Sequence, residues 1–464
     1  MKKTLSIAVI LAILLATGCS SNGKTADTLT NGGSAAVHGD SSDGTGGSAK
    51  PGAAAPETAY GAHDIGGAEK KDGGGLVMDI MEEADGFVDA MAEAALDGGM
   101  SGAVEGEAPA APVADDECII ISEPPYEEPQ TPPEAGLLTG GEWRDNDHWP
   151  DWNALYSSHE DWAQYKSEWR ISYDMRIAVT VTSGGKPVEG ATVSCPNAVA
   201  DAVTDNKGRA YLFYTAINGV TEPITAQYGG VSASADGVFD NAAVEIELDG
   251  APENAGKKLD LMIMCDTTGS MYDELSYLQE ELKDIINRVR DDNANIPTRL
   301  SVNFYRDEGD DYIVREFPFT TDIAAACDSI AEQSAEGGGD FPEAVHTALD
   351  SAINGHDWDE DSVKIMFLVL DAPPHNDAQV VDSVNSLIKQ ASEKGIRIIP
   401  IASSGIDKST EYLLRTMAFT TGGTYTFLTN DSGIGGSHIE PTVGAYNVEK
   451  LNDMMVRIVN GYLE

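Results

Sequence analysis

One stretch of the sequence decides the fold: Leu259-Asp260-Leu261-Met262-Ile263-Met264-Cys265, followed at once by Asp266-Thr267-Thr268-Gly269-Ser270. A nearly continuous apolar run of this length is typical of a strand in a parallel sheet that is covered on both faces. Similar runs recur at Val363–Leu370 and Ile396–Ala402, with apolar stripes at helical spacing between them. Strands that alternate with helices predict a doubly wound α/β fold with a mostly parallel sheet over residues 257–464.

Polar loops follow two of these strands and precede one of the helices. Sheets of this kind bind ligands at the carboxyl ends of their strands. The first loop places the oxygens of Asp266, Thr268 and Ser270 within one tight turn. The second, which contains Asp340, opens a helix, and the third begins with Asp371 directly after its strand. Because hard cations prefer oxygen ligands, the pattern indicates a divalent metal site.

The three loops resemble a known family. The spacing of Asp266, Thr268 and Ser270 matches the Asp-x-Ser/Thr-x-Ser signature of the metal-ion-dependent adhesion site of von Willebrand factor A (VWA) domains. The other two loops are similar, in order and spacing, to the second and third metal loops of a bacterial branch of that family. The resemblance covers residues 257–464 and implies that Asp266, Thr268, Ser270, Asp340 and Asp371 surround the cation, directly or through water. Mg²⁺ is the expected ion, with Mn²⁺ and Ca²⁺ as alternatives.

Three features of the loops need an assignment of their own. Asp340 stands where many adhesion-type VWA domains have Thr, and it adds a third carboxylate; the alternative is a helix N-cap with Pro342 in the first turn. His375 is expected to orient its loop rather than to act as a catalyst. The loop 305–311 either holds structural hydrogen bonds or binds a second cation.

A β-rich module precedes the α/β region. Residues 175–249 contain short runs that alternate apolar and polar positions, separated by turn signals. The segments 185–193 and 204–210 resemble carboxypeptidase-regulatory-like and bacterial immunoglobulin-like sandwiches, which implies a β-sandwich spacer. Residues 140–250 are therefore assigned to one module that includes an aromatic lead-in.

The lead-in holds five of the six tryptophans of the chain. Rings at this density rarely stay exposed, so we expect the lead-in to pack on the domain that follows it; a platform for stacking sugars is the alternative.

The N-terminus resembles a bacterial lipoprotein signal. Lys2 and Lys3 precede an apolar stretch at 5–16, and Ala16-Thr17-Gly18-Cys19 is similar to a lipobox, in which Cys19 is lipidated after removal of residues 1–18. An ordinary secretory signal is the alternative. The expected location is extracytoplasmic, on a lipid anchor in a bacterial cell membrane.

The chain between Cys19 and the modules is expected to be a disordered acidic tether at 19–139, because it has few large apolar side chains. Apolar residues recur at helical spacing at 76–96. This helix either docks on the protein body or on a partner, or forms only transiently.

Charge and cysteine usage exclude other classes of function. The formal net charge is -48, and so acidic a surface repels phosphate backbones; no nucleic-acid partner is expected. The chain has five cysteines without a CxxC pair, and no disulfide framework is expected.

Three functions are compatible with the sequence. The first, which the resemblance favours, is a cell-envelope lipoprotein that binds a protein partner through the bound cation. The second is a metal-independent envelope scaffold. The third is a metal-dependent hydrolase, but the chain lacks HExxH, GxSxG and Walker A motifs, so we expect no enzyme.

Lipidation is directly testable. The substitution Cys19→Ser removes the acceptor thiol, so the protein should either leave the membrane fraction or accumulate as an unprocessed precursor. Fractionation and mass spectrometry of the mature N-terminus measure both. Normal processing together with unchanged membrane partition of the variant contradicts the prediction.

Overall fold

A computed structural model describes residues 133–215, 221–238, 243–253 and 256–464 of the chain. The predicted signal peptide at 1–18, the predicted lipidation site Cys19, the predicted helix at 76–96 and the part of the predicted tether up to residue 132 lie outside these ranges. None of the helices in the described ranges is both long enough and apolar enough to span a bilayer.

The first described elements precede the α/β body. They are a strand, two short helices and then eight strands: β1 (Thr139–Trp143), α1 (Trp149–Ser158), α2 (Trp162–Glu168), β2 (Met175–Ser183), β3 (Lys186–Pro187), β4 (Thr192–Ser194), β5 (Ala202–Val203), β6 (Arg209–Tyr214), β7 (Thr221–Tyr228), β8 (Val231–Val238) and β9 (Ala243–Glu247). Strands β2, β3, β6 and β9 form one sheet, and β4, β5, β7 and β8 form another. The two sheets share one apolar core.

The α/β body contains the longer elements. In chain order they are β10 (Leu259–Asp266), α3 (Tyr272–Asp292), β11 (Thr298–Tyr305), β12 (Val314–Arg315), α4 (Ile323–Ala331), α5 (Val345–Asn354), β13 (Val363–Leu370), α6 (Ala378–Lys394), β14 (Ile396–Ala402), α7 (Lys408–Thr420), β15 (Tyr425–Leu428), β16 (Glu449–Lys450) and α8 (Leu451–Leu463). The three apolar runs of the sequence are thus β10, β13 and β14, as predicted.

One sheet of eight strands organises this body. Its order is β12-β11-β10-β13-β14-β15-β1-β16. The five neighbouring strands β11, β10, β13, β14 and β15 are mutually parallel. In β10, Leu261, Ile263 and Cys265 face α3, α4 and α8, whereas Met262 and Met264 face α5, α6 and α7. Both faces are therefore covered, which confirms the predicted mostly parallel α/β sheet.

Strand β1 differs from the sequence-based assignment, which placed it in the same module as the sandwich. It pairs antiparallel with β15 and β16 inside the large sheet. Its sequence lacks an apolar run and has glycines at the positions that approach Phe427 most closely. A Cβ at Gly140 would lie 2.8 Å from the Phe427 carbonyl oxygen, and one at Gly141 would lie 2.6 Å from its ring. This segment is a strand because its glycines fit closely against β15, and not because its apolar residues alternate along the sequence.

The entry of the chain into β1 is fixed at the carboxyl edge of the parallel strands. Gly140 lies opposite Leu428, the last residue of β15. Just before the strand, the backbone N–H groups of Gly136, Leu137 and Leu138 all donate to Glu281 Oε1, at 2.8, 2.9 and 3.0 Å. One buried carboxylate oxygen thus accepts hydrogen bonds from three successive backbone N–H groups, of which that of Leu138 is buried.

The sandwich lies beside the sheet rather than between the sheet and the preceding chain. Asn206 Nδ2 donates to the Gly461 carbonyl oxygen at 2.9 Å, and Ser392 Oγ donates to that of Asp201 at 2.9 Å. The sandwich therefore contacts α6 and α8. Strand β1 joins the large sheet before the sandwich begins. The sandwich is therefore a module at the side of the α/β body, and not the linear spacer that the sequence resemblance implies.

The aromatic lead-in was expected to pack on the sandwich that follows it, but it packs mainly on α7. The Trp152 ring lies 5.4 Å from that of Tyr412 and 4.9 Å from that of Phe419, and Trp162 lies 5.4 Å from Tyr412. The sandwich adds Phe213, 5.1 Å from Phe419. Since α7 is buried around its whole circumference, the lead-in serves as its outer cover. All five lead-in tryptophans are buried, so their faces are not available as a platform for sugars.

A buried ion pair joins the lead-in to α7. Arg415 Nη2 donates to Asp145 Oδ1 at 2.6 Å and Arg415 Nε donates to Asp145 Oδ2 at 3.0 Å, and both side chains are 1% exposed. The guanidinium also lies over the Trp152 and Trp162 rings, 5.0 and 5.5 Å from their centroids. The pair favours one arrangement of the two segments, because separating them would leave Asp145 without its cation and Arg415 with only Glu411, 3.5 Å away, as a buried partner.

The substitution Asp145→Ala tests this arrangement. It removes two charge-assisted hydrogen bonds and leaves Glu411, 3.5 Å away, as the remaining carboxylate beside Arg415, so we expect the free energy of unfolding to fall by about 1.5–3 kcal/mol. The matched control is Asp382→Ala, which breaks an exposed pair with Arg170 and should cost less than about 1 kcal/mol. Urea unfolding followed by tryptophan fluorescence measures both. Equal losses in the two variants contradict the proposed role of the pair.

Candidate metal centre

The carboxyl end of β10 brings the first three predicted site residues together. Asp266 is the last residue of the strand and is fully buried. Its Oδ1 accepts hydrogen bonds from Thr268 N at 2.8 Å and from Thr268 Oγ1 at 2.7 Å. The Thr268 hydroxyl lies 3.1 Å from Ser270 Oγ. Asp266 Oδ2 is buried without a hydrogen-bond partner and is therefore available as a ligand.

The end of β13 adds the next carboxylate. Strands β10 and β13 are paired in parallel, with Cys265 opposite Val369, so Asp371 follows its strand beside Asp266. Asp371 is 3% exposed, and its Oδ1 has no hydrogen-bond partner. Two carboxylates from neighbouring strands thus share one edge of the sheet, as the sequence indicates.

The glycine-rich loop contributes a residue that the sequence analysis missed. Asp340 is exposed. Glu343 instead is 3% exposed, and its Oε2 is buried without a partner. The backbone N–H of Glu343 donates to the Pro373 carbonyl oxygen at 2.9 Å, which places Glu343 next to the Asp371 loop. The structure thus offers Glu343 as the third carboxylate and leaves Asp340 on the outside.

The start of α5 explains this difference. The sequence predicts that the helix opens near Asp340, with an N-cap at Asp340 as the alternative to metal binding. The helix begins at Val345, its N-cap is Ala344, and no side chain caps it. Glu343 therefore precedes the helix, in an isolated bridge with Pro374 that belongs to the sheet edge. The signal that could have identified it is a glutamate directly after Pro342, where an extended segment precedes the helix.

Gly338 allows the loop to approach the other site residues. Its φ is +75°, a backbone conformation that favours glycine, and a Cβ there would lie 3.0 Å from Glu343 Oε1 and 3.5 Å from Thr268 Cβ. The neighbouring Gly337 accepts a hydrogen bond from Gly269 N at 3.2 Å. The first and second loops are therefore in direct contact.

The three carboxylates are electrostatically strained. Burial, followed by repulsion from Asp266, Asp307 and Asp371, raises the pKa of Glu343 to about 9. Burial raises the pKa of Asp371 above its usual range, and Asp266 raises it further. Burial likewise raises the pKa of Asp266, although its bonds with Thr268 oppose the rise. A cation among these groups would relieve both the desolvation and the repulsion.

A second set of residues holds the loops in place. Asp310 Oδ2 accepts from Asp307 N at 3.1 Å and from Gly338 N at 2.9 Å. His375 Nε2 lies 2.9 Å from Asp307 Oδ1. The loop 305–311 therefore ties the second and third site loops together, and the expected orienting role of His375 fits this contact. The alternative of a second cation at this loop stays a prediction.

The donor set fits a hard divalent cation. It combines three buried carboxylates with the hydroxyls of Thr268 and Ser270, which are the ligand types that Mg²⁺, Mn²⁺ and Ca²⁺ take. Within the described ranges, no three histidine, cysteine, aspartate or glutamate side chains are spaced to hold a metal on their own. The fit therefore depends on the mixed set of carboxylates and hydroxyls, and on the three carboxylate oxygens that are buried without partners.

Comparison with known proteins identifies the α/β body. Residues 260–439 match the family described as the von Willebrand factor A domain. A putative ariadne-like RING finger protein of Acanthamoeba polyphaga mimivirus is 34% identical over 137 residues, which make up 28% of this chain and 13% of that protein. The chain thus spans a small part of the length of this relative.

Solved structures are also similar to part of the chain. They include the conserved hypothetical protein BatB from Bacteroides thetaiotaomicron, with 12% identity and a TM-score of 0.31. An aerotolerance-related membrane protein from Bacteroides fragilis, solved with multiple mutations to serine, has 14% identity and a TM-score of 0.30. Each match covers 44% of this chain and 98% of the other chain.

A pair of substitutions separates Glu343 from Asp340. Glu343→Gln removes a buried carboxylate from the site, so the Kd for Mg²⁺ should rise by at least about tenfold, which corresponds to about 1.4 kcal/mol of lost attraction. Asp340→Asn removes an exposed charge and should change this Kd by less than about threefold. Isothermal titration calorimetry of the full chain measures both. A larger effect of Asp340→Asn would return Asp340 to the site and remove Glu343 from it.

Proposed function

We propose that the chain is a cell-envelope lipoprotein whose VWA domain binds a divalent cation, in the first place Mg²⁺, and uses it to bind a protein partner. Asp266, Asp371 and Glu343 supply the carboxylates, and Thr268 and Ser270 supply the hydroxyls. Asp340, which the sequence resemblance assigned to the metal, is left out of this set because it is exposed.

The single observation that supports the metal most strongly is the set of carboxylate oxygens without partners. Asp266 Oδ2, Asp371 Oδ1 and Glu343 Oε2 are all buried and accept no hydrogen bond. Buried carboxylate oxygens are ordinarily paired, because leaving one unpaired costs the full desolvation of that group. A cation held by these oxygens together with the hydroxyls of Thr268 and Ser270 would account for their lack of partners.

The position of the site favours binding over catalysis. When bound, the ion supplies a coordination position for an oxygen atom of a partner. The groups beside it are already engaged: the Thr268 hydroxyl bonds with Asp266, and His375 lies at hydrogen-bond distance from Asp307. The one hydroxyl named here beside a carboxylate is that of Thr268, and both it and Asp266 belong to the proposed ligand set. We therefore propose that the protein is not an enzyme.

The envelope location rests on the N-terminal sequence. The lipobox-like Ala16-Thr17-Gly18-Cys19 and the apolar stretch before it support a lipid anchor. The chain that follows enters the sheet at β1, on the edge that carries the metal loops. A protein partner would therefore meet the same edge from which the anchored segment leaves.

The proposal can be tested with a photoreactive amino acid at Asn376, an exposed position in the loop after Asp371. On intact cells that produce the protein, we expect a discrete crosslinked partner. EDTA or the substitution Asp266→Asn should abolish that product, because both remove the metal. The same amino acid at Glu360, exposed before β13 at the opposite edge, is the control and should not give this product.

Two outcomes contradict the proposal. A crosslinked partner that persists in EDTA and in Asp266→Asn identifies a metal-independent scaffold. Turnover of a peptide or ester by the purified protein, lost in Asp266→Asn, identifies a metal-dependent hydrolase.

A further inference from the structure

Exposed aromatic side chains lie beside the metal loops. The large apolar side chains most exposed among the described residues are Leu137, Tyr272, Phe341 and Val448. Tyr272 is 56% exposed and stands two residues after Ser270, and Phe341 is 46% exposed and stands two residues before Glu343. Aromatic residues at a surface are enriched in the centres of protein interfaces.

The local chain directions explain why these rings face outward. Met271, the neighbour of Tyr272, is 1% exposed and packs into the core of the α3 face. On the second loop, Glu343 turns inward while Phe341 stays exposed. Each ring is therefore carried by a segment whose next side chains anchor it, so that the ring is held at the surface of a fixed loop.

The charges around the rings are of one sign. The exposed charged residues of the loops 305–311, 336–343 and 371–377 are all acidic: Glu308, Asp311, Glu336, Asp340 and Asp377. Arg306, the basic residue of the loop 305–311, is buried. Its Nη2 donates to the Ser334 carbonyl oxygen at 2.9 Å, and its guanidinium lies 4.7 Å from the centroid of the Tyr312 ring. Arg306 Nη1 lies 3.9 Å from Glu336 Oε2, so one of the five rim carboxylates has a counter-charge and the metal edge remains acidic overall.

The bound ion does not reverse this sign. A charge of +2 among the three carboxylates Asp266, Asp371 and Glu343 leaves one net negative charge, and the acidic rim adds to it. A partner carboxylate would approach against this field, and a basic partner would be drawn to it over the roughly 10 Å that exposed charges reach at 0.1 M salt. A neutral oxygen can bind the ion without adding to the repulsion.

We propose that the partner is a protein segment that offers a neutral oxygen to the metal, flanked by lysine or arginine and by a large apolar side chain. The neutral oxygen is a backbone carbonyl, an amide or a hydroxyl. The basic residues meet the acidic rim, and the apolar side chain packs between Tyr272 and Phe341. This inference rests on the metal-dependent binding proposed above and specifies the chemistry of the partner.

The test is selection of random displayed peptides on the full chain in Mg²⁺, with elution by EDTA. The eluted peptides should be enriched in lysine and arginine and in aromatic or branched apolar residues, and depleted in aspartate and glutamate. A synthetic selected peptide should bind at least about tenfold more weakly in 0.5 M than in 0.05 M NaCl, because exposed charges are screened by salt.

Variants assign the two parts of the surface. The triple substitution Glu308→Gln, Asp311→Asn, Glu336→Gln should remove most of the salt dependence of the selected peptide. The double substitution Tyr272→Ser, Phe341→Ser should weaken its binding at least about fivefold while the salt dependence remains. The matched control neutralises acidic residues of the opposite edge, Asp357→Asn, Glu360→Gln and Asp361→Asn, and should leave binding unchanged.

The outcomes separate this inference from the function on which it rests. Peptides that elute with EDTA but are rich in aspartate or glutamate leave metal-dependent binding intact and overturn the inference. Peptide binding that changes neither in the acidic triple variant nor in the Tyr272→Ser, Phe341→Ser variant also overturns it. If no peptide depends on Mg²⁺, the metal-dependent function fails and this inference fails with it.

Discussion

Repulsion among three buried carboxylates is the constraint on which the functional edge of this protein depends. Asp266 and Asp371 end neighbouring parallel strands, and Glu343 is bonded through its backbone to the loop of Asp371. Like charges so placed in a medium of low dielectric constant separate or take up protons unless the structure holds them and a cation offsets them. The apolar strands on one side and the linked loops on the other hold them here.

Hydrogen bonds among the loops hold the three carboxylates near one another despite this repulsion. Asp310 accepts backbone hydrogen bonds from Asp307 and from Gly338, and so joins the loop after β11 to the glycine-rich loop. His375 extends the connection to the loop after β13. Each of these residues acts through hydrogen bonds rather than through the metal. The candidate site is thus a set of loops tied to one another above the sheet, so its geometry does not rely on any single loop.

The same edge also receives the chain from the N-terminal side. Strand β1 fits between β15 and β16 because its glycines allow close approach to Phe427, and the Arg415–Asp145 pair fixes the segment that follows. The sandwich is consequently attached at the side of the sheet. Any pull on the preceding chain would reach the VWA sheet first, through the strand hydrogen bonds of β1, and not through the sandwich.

The sequence predicts those features that come from long-range periodicity and fails where a short segment depends on its neighbours. Strands β10, β13 and β14 are apolar throughout, so their place in a covered parallel sheet could be predicted, and with it the edge that carries Asp266 and Asp371. Strand β1 has no such pattern, because its pairing with β15 depends on the close approach of Gly140 and Gly141 to Phe427. Glu343 was missed because its role depends on α5 starting at Val345, and helix boundaries are poorly specified by local sequence.

The most direct test of the metal centre is a crystal structure of the protein grown with Mn²⁺, with anomalous diffraction recorded at the manganese absorption edge. We predict one anomalous peak at this edge of the sheet, within coordination distance of oxygens from Asp266, Asp371 and Glu343, with the Asp340 side chain outside the coordination sphere. A peak bound by Asp340 and not by Glu343, or no peak among these loops at saturating Mn²⁺, would contradict the account.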